Sequence, residues 1–325
     1  MNAALRALLL SALCCTPPLA HAEWFQREEA IMGTRVAVEL WSEDRALAER
    51  AMDAVIAEMR RTDELMSTYK PESQLSQVNA HAHERPVQVD PDIIEVVERS
   101  FEVSRMSGGA FDITYASVGY LYDYRAHQKP TDAQIAAALP GVDYRKVQVD
   151  REAHTIRFLR EGVRIDLGGI AKGYAVDRAV QHLRELGIRH AMVNAGGDTR
   201  LLGDRRGKPW MVGIRDPRSA GRVVMRVPLA DEAISTSGDY ERYFEEDGVL
   251  YHQILVPSTG RSARGVRSAT VIGPDATLTD GLSTTLFVLG VERGMQLIAR
   301  LPGVEAVMVD DEGRIYYSDG LAPPQ

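Results

Sequence analysis

The densest group of residues that can do chemistry runs through residues 166–177, which read Asp-Leu-Gly-Gly-Ile-Ala-Lys-Gly-Tyr-Ala-Val-Asp. A predicted strand ends here in two glycines, and a predicted helix begins at once. Free backbone N–H groups and the positive end of a helix favour a bound anion, and Lys172 adds charge in the first turn. The segment matches neither the P-loop nor the dinucleotide-binding glycine pattern. It predicts either an anion site at Gly168 and Lys172 or a glycine-rich packing turn.

A second glycine turn follows the next predicted strand. Residues 193–198 read Val-Asn-Ala-Gly-Gly-Asp. Glycines let a backbone approach a ligand or another segment closely, although a plain turn has the same composition. Because one predicted helix separates the two turns, together they favour a shared ligand cleft.

Asp280 and Thr284 stand four residues apart, so a helix places both side chains on one face. A carboxylate and a hydroxyl suit a hard cation such as Mg²⁺, which takes oxygen ligands and usually keeps substrate phosphates in its shell. The alternative is an aspartate that caps the helix and a solvated threonine. The sequence has no HExxH, paired CxxC or GxSxG motif, and its eight histidines are scattered, so a zinc site has no support.

The elements that must position these residues are mixed without a regular strand–helix alternation, which favours an α+β fold over a doubly wound sheet. We expect one compact unit with mixed and antiparallel sheets and flanking helices, or two lobes of such a unit. Predicted helices cover residues 44–66, 91–107, 131–139, 171–186 and 278–289, and residues 67–79 are a loop or short helix. Predicted strands cover residues 31–40, 163–167, 191–194, 211–215, 223–227 and 268–272, with hairpins at 144–158 and 305–317.

The composition is that of an ordinary globular protein. Of 325 residues, 45% are hydrophobic and 26% are charged, which excludes disordered, collagen-like and coiled-coil chains. The formal net charge is −8. Because nucleic-acid binders carry a basic surface, no nucleic-acid partner is expected.

Residues 1–22 are a predicted secretory signal peptide. Arg6 precedes a short apolar run, two prolines end the run, and Ala-His-Ala supplies a small-x-small cleavage site. The run is too short to span a membrane. The alternatives are a buried N-terminal helix and a lipoprotein acylated at Cys14, but Leu13 stands where lipidation prefers a small residue. Both cysteines lie in this leader, so residues 23–325 contain no thiol.

Taken together, these segments resemble the ApbE family of FAD:protein FMN transferases. The matching motifs occur in order through most of residues 23–325, and the ordered set is specific although each motif is weak alone. They are residues 32–34 (MGT), 66–73 (MSTYKPES) with Asn79, 108–114 (GGAFDIT), 166–177, 193–198, 236–240 (TSGDY), 257–260 (PSTG) and 280–290.

The resemblance implies a periplasmic enzyme that binds FAD with Mg²⁺ and cuts its pyrophosphate. FMN would be transferred to a Thr or Ser hydroxyl of a partner protein, and AMP would leave. Typical acceptors are flavoprotein subunits of membrane redox complexes. In such a phosphoryl transfer, positioning and the neutralisation of phosphate charge matter most.

By motif position, the resemblance also assigns roles to single residues. The side chains of Asp280 and Thr284 and the backbone carbonyl of Ala171 would hold Mg²⁺, which makes Asp280 the central residue of the reaction. FAD would be bound by Tyr69 stacked on one of its rings, by Met32, Ala110, Phe111 and Asp112 around the flavin and adenine, and by Gly168, Lys172 and Ile254 beside the phosphates and ribityl chain.

One stretch departs from the family pattern His-Ile-Ile-Asp-Pro-x-Thr-Gly. Gln253 replaces the histidine often proposed as general base, and Val256 replaces the aspartate. Glutamine cannot take a proton at neutral pH. His252 is therefore the candidate base if the strand is irregular, because neighbouring side chains of a regular strand point to opposite faces. Two alternatives to transfer stay open: an FAD pyrophosphatase that releases FMN and AMP, and an FAD-binding or assembly protein without turnover.

Overall fold

The computed structural model describes residues 23–219 and 221–322, and the predicted leader, residues 1–22, lies outside them. No helix of this part of the chain is both long and apolar enough to cross a membrane. Its helices are α1 Arg45–Met66, α2 Gln74–His81, α3 Pro91–Met106, α4 Ala116–Gly119, α5 Asp132–Ala138, α6 Ala171–Glu185, α7 Ala276–Leu289 and α8 Val291–Ile298. Its strands are β1 Glu23–Ile31, β2 Thr34–Ser42, β3 Val87–Gln88, β4 Val147–Asp150, β5 Thr155–Phe158, β6 Ala191–Ala195, β7 Asp198–Leu202, β8 Trp210–Arg215, β9 Val223–Leu229, β10 Ala233–Gly238, β11 Tyr243–Glu246, β12 Val249–His252, β13 Leu255–Val256, β14 Arg261–Ser262, β15 Val266–Gly273, β16 Glu305–Asp310 and β17 Ile315–Tyr317.

Eight strands form a central antiparallel sheet in the order β1-β2-β6-β7-β10-β15-β16-β17. Alternate residues of β2, namely Val36, Val38 and Leu40, are buried because successive side chains of a strand point to opposite faces. Helices α1 and α6 pack against this face, and α7 lies beside α6 on β10 and β15. The α+β prediction, with antiparallel sheets and flanking helices, is confirmed.

Smaller elements surround this sheet. The opposite face is covered by the β8–β9 hairpin through an apolar cluster that includes Trp210. Helices α2 and α3 pack with the small sheet β3-β5-β4 over a separate cluster. Strands β10 and β15 pair directly, with Gly238 opposite Ser268, so residues 239–265 leave and re-enter the sheet at the same end.

The helix boundaries follow local capping chemistry. Asp44 precedes α1, and its carboxylate accepts hydrogen bonds from the N–H groups of Ala46 and Leu47. Asp90 caps α3 in the same way, with Pro91 in the first turn, where its missing N–H costs nothing. The predicted helices 44–66 and 91–107 are therefore confirmed to within a residue.

The strand predicted at residues 163–167 is wrong. The segment is largely buried but belongs to no strand, and side chains take the place of ladder partners. The Asn79 amide bonds both the N–H and the carbonyl of Ile165, each at 2.8 Å, and Ser117 Oγ accepts from Arg164 N–H at 3.0 Å. Because these backbone groups are satisfied, the segment can cross the core without a sheet.

The strand predicted at residues 31–40 contains the last residue of β1, a tight turn and most of β2, and the rest of β1 was not predicted. Strand β1 ends at Ile31, and the turn residues Met32 and Gly33 have φ of 56° and 69°. Positive φ at both central residues is the signature of the two-residue hairpin turn that matches strand twist. The turn therefore presents Met32 at the end of the hairpin.

Candidate functional site

Helix α6 begins at the glycine turn, and a carboxylate from another helix caps its first turn. The N-cap residue, Ile170, offers no side-chain acceptor. Instead Asp280 of α7 reaches across, and its Oδ2 accepts a hydrogen bond from Gly173 N–H at 3.0 Å. A negative charge is favourable at this end of a helix because of the helix dipole. The predicted anion-binding helix end thus holds the carboxylate of Asp280, which is 3% exposed.

The capping of these two helices is reciprocal. Asp177 of α6 accepts hydrogen bonds from the N–H groups of Ala276 at 2.9 Å and Thr277 at 2.7 Å, at the start of α7. The helices touch at Gly173, where a Cβ would lie 2.8 Å from Asp280 Cβ and against the Ala276 carbonyl. Each helix therefore fixes the other, and Asp280 has a defined place beside the glycine turn.

Three charged side chains meet at this point. Lys172 Nζ lies 2.9 Å from Asp198 Oδ2 and 3.7 Å from Asp280 Oδ2. Burial raises the pKa of the Asp280 carboxyl, the charge of Asp198 raises it further, and Lys172 opposes both effects. Burial alone would lower the pKa of Lys172, but the two carboxylates outweigh it and raise that pKa, so the ammonium stays charged.

Thr284 lies on the same side of α7 as Asp280. Its Oγ1 is 3.1 Å from Ser237 Oγ, which bonds Ser283 Oγ at 2.8 Å. A Cβ on Gly169 would lie 3.4 Å from Thr284 Oγ1, so the threonine hydroxyl borders the glycine turn. The structure thus places Asp280 and Thr284, the two residues predicted to share one helix face, against the first predicted anion site.

The oxygen donors gathered here fit a hard divalent cation. Among the described residues, hydrogen bonds to the Asp280 carboxylate are made at Oδ2, which leaves Oδ1 for a further partner. No group of three or more His, Cys, Asp or Glu side chains in residues 23–219 and 221–322 is arranged to bind a metal. Mg²⁺ is commonly held by one or two carboxylates together with substrate phosphates, so a single buried carboxylate beside a hydroxyl fits a metal that shares a phosphate ligand.

A second group of predicted residues is joined by an arginine that the sequence analysis missed. Arg242 donates a hydrogen bond to Tyr69 Oη at 2.9 Å, and its guanidinium carbon lies 5.4 Å from the Tyr69 ring centre. A Cβ on Gly33 would lie 3.4 Å from Arg242 Nη2, so the same side chain borders the turn of Met32. Tyr69 remains 70% exposed, which leaves its ring open for stacking. An open surface depression of about 730 Å³ lies beside Met32 and Lys70, and neither Tyr69 nor Arg242 lines it.

The loop that contains Ala110, Phe111 and Asp112 reaches the glycine turn through its aromatic ring. A Cβ on Gly169 would lie 3.3 Å from the buried Phe111 ring. Asp112 accepts hydrogen bonds from the N–H groups of Thr114 at 2.8 Å and Tyr144 at 2.9 Å. Burial raises the pKa of Asp112, and these hydrogen bonds oppose the rise. Asp112 therefore shapes its own loop, while Phe111 faces the predicted phosphate region.

His252 lies at the end of β12 and is 3% exposed. Its Nε2 is 2.8 Å from the Ala263 carbonyl oxygen, and its Nδ1 accepts the N–H of Ile254 at 3.3 Å. The ring also meets Phe287 edge to face at 5.4 Å. Both ring nitrogens are thus engaged within the chain, which gives His252 a structural task beside the buried Ile254. Its role as a base stays a prediction.

The burial of His252 predicts a pH dependence of stability. Burial lowers the pKa of His252, and the hydrogen bond to Ala263 offsets this only in part. Below the unfolded pKa of about 6.5 the unfolded chain therefore binds a proton that the folded chain does not, so the stability present above that pH is lost as the pH falls. We expect the free energy of unfolding of wild type to fall by about 1 kcal/mol more than that of His252→Gln between pH 7.5 and 5.5. Urea unfolding of both proteins at the two pH values measures this, and equal losses would contradict the lowered pKa.

The structure therefore gathers predicted residues into two groups, which come close where Thr68 Oγ1 donates a hydrogen bond to Asp166 at 3.0 Å. Gly168, Ala171, Lys172, Asp280 and Thr284 surround the start of α6. Arg242 bonds Tyr69 and lies beside the turn that contains Met32. Asp198 and Arg242 are the charged residues that the sequence analysis did not assign. The Gly-Gly-Asp turn was a signal for Asp198, whereas no local pattern marks Arg242, because its partners are distant in the chain.

Comparison with known proteins places this geometry in a family. The model of the ApbE family matches residues 32–308. An FAD:protein FMN transferase of Treponema pallidum is 33% identical, with 93% of this chain and 89% of that protein covered. An FAD:protein FMN transferase of Vibrio cholerae is also 33% identical, and 98% of this chain and 97% of that protein are covered.

Solved structures agree over nearly the same span. The crystal structure of the ApbE protein from Thermotoga maritima has a TM-score of 0.85 and 34% identity, with 92% of this chain and 98% of that chain covered. The flavin transferase ApbE from Vibrio cholerae has a TM-score of 0.81 and 30% identity, with the same shares covered.

Proposed function

Because the chain belongs to the ApbE family and is an FAD:protein FMN transferase, we propose that it moves FMN from FAD to a Thr or Ser hydroxyl of an exported flavoprotein, with Mg²⁺ as its metal. The acceptor would be a subunit of a membrane redox complex. The observation that carries the proposal is the place of Asp280, which joins the start of α6, the Lys172 ammonium and the face of α7 that bears Thr284.

The metal would be held by Asp280, by Thr284 and by the backbone carbonyl of Ala171, where α6 begins. When bound, Mg²⁺ would supply Lewis-acid neutralisation of the pyrophosphate. Asp280 and Thr284 are suited to this task because α7 is fixed to α6 by the reciprocal caps. Lys172 would place a positive charge next to the same phosphates, since its Nζ already lies 3.4 Å from the Gly168 carbonyl oxygen.

The proposed reaction balances without a further reactant. The acceptor hydroxyl oxygen forms a bond to the phosphorus of the FMN half, and the bond from that phosphorus to the bridging oxygen breaks. The bridging oxygen leaves with AMP, and the hydroxyl proton passes to the phosphate of AMP or to solvent. Phosphoryl transfers of this kind pass through a loose transition state, so positioning and charge contribute more than a strong base. Transfer therefore does not require a free imidazole, although residue 253 is a glutamine and both ring nitrogens of His252 are engaged within the chain.

Tyr69 and Arg242 would hold the ring end of FAD. We expect Tyr69→Ala to weaken FAD binding by about 10-fold or more, because stacking of one base on an aromatic ring contributes about 1–3 kcal/mol. Arg242→Ala should weaken it less, since the ring stays but loses the bond at its hydroxyl. Quenching of flavin fluorescence measures both dissociation constants. Arg226→Ala, at an exposed arginine of β9, is the matched control, and a loss of affinity there equal to that of Arg242→Ala would contradict the assignment.

The test of the proposed function uses residues 23–325 with FAD, Mg²⁺ and a threonine-bearing acceptor domain of an exported flavoprotein. We expect covalent flavin fluorescence on the acceptor after denaturation, and one AMP released per flavin attached. If FMN and AMP formed without acceptor as fast as AMP forms with acceptor, the pyrophosphatase would be favoured. Tight FAD binding with no turnover for any acceptor tried would favour a binding protein.

Export is proposed from the leader alone. Cleavage after Ala22 would leave Glu23 as the first residue, at the start of β1. N-terminal sequencing of the protein recovered from the periplasmic fraction tests this, and a protein that retains residues 1–22 would contradict it.

A further inference from the structure

Lys172 has an arrangement that a phosphate-binding lysine does not need. Its ammonium lies between the two buried carboxylates, 2.9 Å from Asp198 and 3.7 Å from Asp280. Both aspartates are almost fully enclosed, at 2% and 3% exposure. Two buried carboxylates without a cation repel each other and lose their hydration, so one of them would otherwise be driven to protonate. Lys172 is therefore the cation that lets both stand side by side in the FAD-free protein.

We propose that Lys172 is a built-in counter-ion of the Asp198–Asp280 pair that opposes divalent metal binding to the FAD-free protein and favours it once FAD is present. This inference rests on the proposed function, because it takes Asp280 as a metal ligand. It assigns Asp198 a positioning part, since that carboxylate makes the closer contact and keeps the ammonium at this place.

The argument is one of local charge. With FAD absent, a divalent cation at Asp280 would bring two positive charges close to the Lys172 ammonium, and the repulsion is strong where water is excluded. The diphosphate of FAD adds two negative charges to the same place and reverses the balance. The metal and FAD should then bind together, whereas either one alone should bind weakly.

The flexible lysine stem makes such an exchange of partners feasible. The Lys172 side chain keeps 27% exposure although its head is paired, so the ammonium can turn from the carboxylates towards a ligand at the glycine turn. The Gly168 carbonyl oxygen, which is 3.4 Å from Lys172 Nζ, belongs to that turn.

The experiment measures Mn²⁺ binding to residues 23–325 by electron paramagnetic resonance, with and without FAD. We expect Lys172→Met to bind Mn²⁺ about tenfold or more tightly than wild type in the absence of FAD, and to bind FAD about tenfold more weakly in the presence of Mn²⁺. Opposite shifts for the two ligands separate this role from structural damage, which would weaken both. Lys172→Arg should keep both affinities near those of wild type because it keeps the charge. Lys208→Met, at an exposed lysine before β8, is the control that should change neither.

Unchanged or weaker Mn²⁺ binding by FAD-free Lys172→Met would overturn the proposal. If that variant does not fold, Mn²⁺ titration of wild type decides: equal affinity with and without FAD would overturn the proposal as well. A wild-type protein that bound no FAD would instead refute the proposed function, while the FAD-free Mn²⁺ comparison would still test Lys172.

Discussion

Asp280→Asn should reduce FMN transfer by about 10³-fold or more. A metal that neutralises phosphate charge contributes several kcal/mol to such a reaction, and each ~1.4 kcal/mol corresponds to a factor of ten. The amide oxygen of asparagine can still accept the Gly173 N–H, so the cap of α6 and the fold should survive. Initial rates of covalent flavin attachment at saturating FAD and Mg²⁺ measure the loss.

The control for this substitution lies at the N-cap of the same helix. Asp275 precedes α7 and accepts the N–H of Leu278 at 2.8 Å, five residues before Asp280. Because asparagine caps helices about as well as aspartate, Asp275→Asn should keep the activity within about twofold of wild type. A comparable loss in both variants would mean that α7 is simply sensitive to lost charge. Near wild-type transfer by Asp280→Asn would remove Asp280 from the metal site.

Gly173→Ala should have the largest effect on stability. The added Cβ would lie 2.8 Å from Asp280 Cβ and press on the Ala276 carbonyl, and neither belongs to a side-chain end that can turn aside. Overpacking of this kind costs about 1–3 kcal/mol and occasionally more, and contact with backbone places the expected loss near 3 kcal/mol. The midpoint temperature of thermal unfolding should fall by roughly 6–10 °C in consequence. The transfer rate should also drop, because α7 must move away from α6 together with Asp280.

Gly294→Ala is the matched substitution in another helix. A Cβ there would lie 3.2 Å from Met308 Sδ and 3.3 Å from a Leu286 methyl, which are side-chain atoms that can shift. Alanine is also a better helix former than glycine, so the net change should lie within about 1 kcal/mol. If both variants unfolded at the same temperature, the close contact of α6 and α7 would not be the reason for glycine at residue 173.

The long helices and the closing hairpin β16–β17 could be predicted because their signals are local, whereas strand β1 and the short helices α4 and α8 were missed. An amphipathic period with Asp44 in front is enough to define α1, and two short apolar runs separated by the polar turn before Ile315 indicate the closing hairpin. Residues 163–167 have the same apolar pattern as a strand, yet Asn79 and Ser117 satisfy their backbone. Those partners lie 86 and 47 residues away in the chain, so no local pattern reveals them.

The candidate site divides in the same way. The sequence alone showed the four-residue spacing of Asp280 and Thr284 and the glycine turn before α6. The reciprocal caps of Asp280 on Gly173 and Asp177 on Ala276 could not be seen in it, because each joins two helices about one hundred residues apart. Sequence reasoning could therefore find the chemical groups, while the contacts that orient them come from tertiary packing.

The excursion of residues 239–265 has a consequence for how members of such a family can diverge. It starts and ends at one end of the paired strands β10 and β15, and it carries Arg242, His252 and the departures Gln253 and Val256. The pairing of β10 with β15 does not depend on the length of this segment, so its exposed parts can take insertions or deletions, whereas its buried Ile254 and Ala263 belong to the cluster packed with α7. Changes at its exposed positions can therefore alter the surroundings of Tyr69 through Arg242 while the contacts between α6 and α7 stay fixed.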